Sequence, residues 1–141
     1  MLGNIYGCLV NEELLIDFNN NRLVRIHTNK SDKSFLIGAV IVSNAVISLL
    51  EYILVDIDAN DVVSKEMILN NVFDRLDYIS STQKLWTVLK ELNQRLRSIG
   101  IDYDLIKKVR NSEYARTNVN VKILCFQECK YFNEPNYATR N

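Results

Sequence analysis

An α+β domain is what this sequence predicts, on three observations. Its first forty residues hold short β-branched and aromatic runs between polar turns. Three middle segments repeat apolar residues at helical spacing, and a strand-like pair follows Gly100. At 141 residues, 48% apolar and 24% charged, the chain fits one domain with a single core. One proline and four glycines argue against a linker-rich organisation. We place the domain at residues 1–126 and a tail or linker at 127–141.

Strands are expected first, in GCLV, LLIDF and RLVRIH, with Glu12-Glu13 and Asn19 to Asn21 supplying the turns. Lys30 to Ser34 is a polar loop before another strand. The apolar stretch Phe35 to Val55 has the length of a membrane helix, but Asn44, Glu51 and two serines interrupt it. It splits at Ser43: β-branched Val40, Ile41 and Val42 suit a strand, and Ser43 suits an N-cap.

The first helix is expected from about Asn44 to Val55. Its Val46, Ile47, Leu49, Leu50, Ile53 and Leu54 cover more than one face, which marks a central buried helix. DIDAND breaks it. Ser64 caps a second helix whose core stripe is Ile68, Leu69, Val72 and Phe73. A third begins near Ser81 or Thr82. Its Leu85, Val88, Leu89, Leu92 and Leu96 recur at three and four, leaving Gln83, Lys84, Thr87, Lys90, Glu91 and Gln94 largely on other faces. Gly100 is the expected stop. Ile106 to Arg110 and Tyr114 to Asn118 then form a hairpin around Asn111-Ser112, and Val119 to Phe126 either adds a strand to the sheet or leads out of the domain.

Charge is distributed unevenly although it sums to zero. Residues 51–81 hold seven acidic against two basic side chains, a net of −5. Residues 82–116 hold eight basic against four acidic, a net of +4. Two helices joined by an acidic loop, the second basic and Gln-rich on its exposed side, have the layout of a helix-turn-helix DNA reader. The hairpin after it has the position of a wing, with Lys107, Lys108, Arg110 and Arg116 near the phosphate backbone or a minor groove. Chance clustering on a solvated surface is the bland alternative.

From Val42 to Ala115 the chain resembles the C-terminal-effector winged helix of OmpR/PhoB-type regulators. It resembles more closely the DNA-binding domain of ToxR/CadC-like transcriptional regulators. The matching positions are Leu49, Leu50 and Leu54, the run Val62 to Glu66, Val72 with Phe73 where a Trp is usual, Leu92 with Arg95 and Leu96, and Tyr114 in the wing. The likeness covers about residues 5–118. Asn111, Ser112 and Glu113 replace the glycines common before the wing Tyr, and Gln83 and Lys84 replace an Arg and a Thr at the recognition-helix start. What it implies is a winged helix-turn-helix with an N-terminal antiparallel sheet, three helices and a C-terminal wing. It also implies that the loop with Asp74, Arg75, Asp77 and Tyr78 touches RNA polymerase or a neighbouring protomer. Relatives of this kind follow the domain with a membrane span and a periplasmic sensor. No such span follows Gly100, so a cytoplasmic fragment of a membrane-bound regulator and a stand-alone protein both remain open.

Other chemistry has little support. Cys8, Cys125 and Cys129 are an odd set without disulfide or zinc spacing, suited to a reducing compartment and to small apolar roles. His27, the one histidine, has no nucleophile motif beside it. Asp56 to Asp61 lacks the Gly and terminal Glu of a calcium loop, and no phosphate-cradling Gly motif or secretory leader is present. No cofactor, metal or enzyme activity is expected.

The expectation is therefore a cytoplasmic transcriptional regulator that binds double-stranded DNA. Gln83, Lys84, Thr87, Lys90 and Gln94 read or clamp the major groove, and Lys107, Lys108, Arg110 and Arg116 hold phosphates. Zero net charge predicts weak single-site binding, hence a homodimer or tandem copies on DNA. The alternative is a protein-protein module that kept the fold and lost DNA binding. Trp86 is expected to pack in the core under the wing, with a wedge against sugar and base edges as its alternative. Glu91 is expected to pair with Arg95, with an accepted bond from cytosine as its alternative.

Overall fold

A computed structural model describes residues 4–28, 34–73 and 82–125. The strands are β1 (Ile5–Val10), β2 (Leu14–Asp17), β3 (Arg22–Thr28), β4 (Ser34–Ile41), β5 (Val62–Ser64), β6 (Ile106–Arg110), β7 (Glu113–Arg116) and β8 (Val121–Cys125). The helices are α1 (Asn44–Glu51), α2 (Lys65–Ile68) and α3 (Thr82–Ser98). α1 widens into a π-helical turn over Tyr52–Asp56, and α2 does so over Leu69–Phe73.

β1 to β4 form an antiparallel meander, and β8 returns from the other end of the chain to join β1, giving the order β4-β3-β2-β1-β8. The register aligns Cys8 with Ile16, Ile16 with Leu23 and Leu23 with Val40. Period-two alternation puts this row on one face, which packs on the helices with Val10 and Leu14. The first hairpin turns through Asn11 and Glu12, both at positive φ (51° and 59°), closed by the Glu13 N–H to the Val10 carbonyl at 3.1 Å. Two left-handed central residues make it a type I′ turn, whose twist matches the strands. Asn11 also bonds Asn120 through both its backbone N–H and its side-chain oxygen, each at 2.8 Å, which holds the hairpin tip against the entry to β8.

The stretch from Phe35 to Val55 divides where expected. β4 ends at Ile41, and the Ser43 side chain accepts the Val46 N–H as the N-cap of α1. Among the described residues no helix is long and apolar enough to cross a membrane. α1 is the central helix: Val46, Leu49, Leu50 and Ile53 are wholly buried. Ser64 caps α2 by accepting the Met67 N–H at 3.1 Å. Gly100, at φ 87°, ends α3 in a Schellman motif, with Ile101 N–H to Leu96 O at 2.9 Å and Gly100 N–H to Arg97 O at 3.0 Å.

One strand was not foreseen, one expected boundary is corrected and one open reading is settled. Val62 and Val63, just ahead of the second helix, form a short strand with Ser64. β5 pairs with β7 and completes a second sheet of order β5-β7-β6. The second wing strand is Glu113–Arg116 rather than Tyr114 to Asn118, and Thr117 follows it. Its N–H reaches Leu105 O at 3.0 Å and its hydroxyl Asp104 O at 2.7 Å. Of the two readings of Val119 to Phe126, the added strand holds, as β8. The tail at 127–141, Cys129 and the loop residues Asp74, Arg75, Asp77 and Tyr78 lie outside the described residues.

Candidate nucleic-acid interface

α3 buries Leu85, Val88, Leu92 and Leu96 against α1 and its surroundings. At 100° per residue, Gln83, Thr87, Lys90 and Gln94 fall within about 60° of arc opposite that stripe. All four are exposed. The Thr87 hydroxyl donates to its own helix at Gln83 O, 2.9 Å away. Lys84 sits off this face and is half-buried.

Two residues of α3 depart from expectation. Trp86 is not a core residue: 56% of its surface is exposed, and the Lys90 ammonium lies 4.9 Å from its ring centroid. Glu91 pairs neither with Arg95 nor outward. Its carboxylate accepts the Ser43 N–H at 2.9 Å and the Ser43 hydroxyl at 2.8 Å, so α3 caps the cap of α1. Sequence reasoning missed this because the partner lies 48 residues away. Helical phase gives only a weak hint, since it puts Glu91 on the flank between the exposed face and the core stripe.

Beyond Gly100 the chain is pinned before it enters the wing. Arg97 donates to the carbonyls of Ile101 and Tyr103, each at 3.1 Å, and pairs with Asp104. Tyr103 donates its hydroxyl to Glu13 at 2.8 Å. Burial and the Glu13 carboxylate push its pKa up to about 12.

The wing works without the glycines that its resemblance leads one to expect. Asn111 and Ser112 join β6 to β7, and neither takes a positive φ. The register slips between Lys108 and Arg110, so an extra residue, Val109, absorbs the twist that a primed turn would supply. The Ser112 carbonyl accepts the Lys65 N–H at 2.7 Å, tying the wing tip to the start of α2.

The expected wing cations do not share one face. Lys107 aligns with Ala115 and Val62, and Lys108 with Tyr114 and Val63, on opposite sides of the small sheet. Lys107, Lys108 and Arg110 are exposed. Arg116 turns inward, where its guanidinium donates to Leu54 O at 3.0 Å. On the Lys107 side, Asp61, Val62, Lys107, Val109 and Val119 line a groove of about 400 Å³. Among the described residues no three potential metal ligands cluster.

No family model matches this chain, and neither does any curated protein. Among solved structures it is similar to the DNA-binding domain of E. coli CadC. The TM-score is 0.59 at 18% sequence identity, over 89% of this chain and 100% of that one. The chain thus has the winged-helix fold of that domain, the fold that its sequence resemblance to ToxR/CadC-like regulators implies.

Proposed function

We propose that this chain is a sequence-specific DNA-binding transcriptional regulator that inserts α3 into the major groove and lays its wing on the phosphate backbone. The carrying observation is the exposed face of α3, where Gln83, Thr87, Lys90 and Gln94 stand together opposite the buried stripe. Glutamine amides offer the paired donor and acceptor that adenine presents in reverse, and Lys90 suits guanine or a phosphate. Lys84 at the helix start, and Lys107, Lys108 and Arg110 on the wing, hold phosphates and set register rather than reading sequence.

Fluorescence anisotropy of the chain on duplex DNA from its own upstream region, across a salt series, tests the proposal. Binding should weaken with salt, and Lys90→Ala should cost roughly tenfold. A folded chain that binds no duplex at low salt would overturn it. Two copies on DNA, and contact with RNA polymerase through the loop holding Asp74, Arg75, Asp77 and Tyr78, extend the same proposal. A second reading, a protein-protein module with the same fold, is favoured by the groove beside Val62 and Val109, which are 48% and 41% exposed.

A further inference from the structure

Trp86 is the single tryptophan of the chain, and it stands in water on a helix whose core stripe is fully occupied. Nothing in the packing of α3 requires an indole there. It follows Gln83 by three residues and precedes Lys90 by four, so it shares a row with both. The Lys90 ammonium lies 4.9 Å from the ring centroid, and Gln83, one turn back, is the other exposed neighbour in the row. The helix that presents this plate is anchored, through Glu91 to Ser43 and through the Schellman motif at Gly100. An exposed apolar plate flanked by an amide and a cation fits one feature of the major groove above all. Of the groups that bases expose there, only the thymine C5-methyl is apolar.

From this arrangement we infer that Trp86 determines specificity, packing its indole on the C5-methyl of one thymine while Lys90 reaches past it. The inference rests on the proposed DNA-binding function and adds to it a base preference at one position. Lys90 carries the charge in this pair and Trp86 carries the shape. Removing the indole should therefore change which sequences bind without changing how binding responds to salt.

The test uses the whole chain and duplexes selected from a pool with a randomised core. Each thymine of a selected duplex is then replaced in turn by deoxyuridine, which lacks only the methyl group. The wild-type chain should lose roughly tenfold in affinity at one such position. Trp86→Ala should bind the thymine and uracil duplexes equally, with an unchanged slope against log salt, and Trp86→Phe should restore part of the preference. The indole should also become shielded from acrylamide in the complex. Because the uracil and acrylamide measurements use the wild-type chain, they stand even if a variant fails to fold. Salt-dependent binding in which no thymine methyl matters, or in which the indole stays as quenchable as in the free chain, would overturn the inference and leave the proposed function intact. Absence of any DNA binding by the folded chain would remove both.

Discussion

Glu91 shows how one side chain on α3 can serve the fold rather than a ligand. Its two oxygens take both donors of Ser43, whose hydroxyl in turn accepts the Val46 N–H, so three groups at the start of α1 depend on it. Glu91→Ala should lower stability by about 1–3 kcal/mol in urea titration, and Glu91→Gln by less, since an amide oxygen still accepts one bond. An unchanged midpoint for Glu91→Ala would show that Ser43 is satisfied by solvent. Cys8 offers a reporter of the same core. Burial pushes its thiol up to about 12, with Arg116 opposing and Glu51 adding. At pH 8 it should react with a thiol reagent only as fast as the domain opens, whereas Cys125, which is half-buried, should react sooner.

Elements were legible where a period repeats and obscure where a partner decides. Leu85, Val88, Leu92 and Leu96 mark α3 over several turns, and Ser43 and Ser64 announce helix starts by the chemistry of their hydroxyls. β5 has three residues, too few to show alternation, and exists because Val63 aligns with Tyr114 far along the chain. β8 was one of two open readings of Val119 to Phe126, and nothing in VKILC names β1 as its neighbour. The exposed Gln83, Thr87, Lys90 and Gln94 face could be read from phase alone. The inward turn of Arg116 could not, because side-chain direction depends on what the neighbouring element leaves open, whereas phase already sets Trp86 off the buried stripe. One local rule is strained: Glu12 sits at φ 59° in the first hairpin, where glycine is preferred. Glu12→Gly should raise stability by roughly 0.5–1 kcal/mol despite losing an exposed pair with Lys122, as a thermal melt would show.

For the molecule as a whole, zero net charge makes DNA affinity depend on where the cations stand. Lys84, Lys90, Lys107, Lys108 and Arg110 remain once Arg116 is seen to hold Leu54 O. Binding by a single domain should then fall with log salt at a slope no steeper than about −4.5. Arg116→Ala should leave that slope unchanged while lowering stability by about 1–2 kcal/mol, a separation that anisotropy and denaturation together resolve. A loss of slope with Arg116→Ala would return this residue to the DNA face. The antiparallel pairing of Ile5 with Cys125 has a mechanical consequence. Force applied to the two ends of the described fold meets at one corner of one sheet, in the geometry of a zipper, where bonds open one at a time rather than sharing the load. A taut tether would peel β8 from β1 while α1, α2 and α3 carried no tension, so the helices would be the last part of the molecule to register a pull.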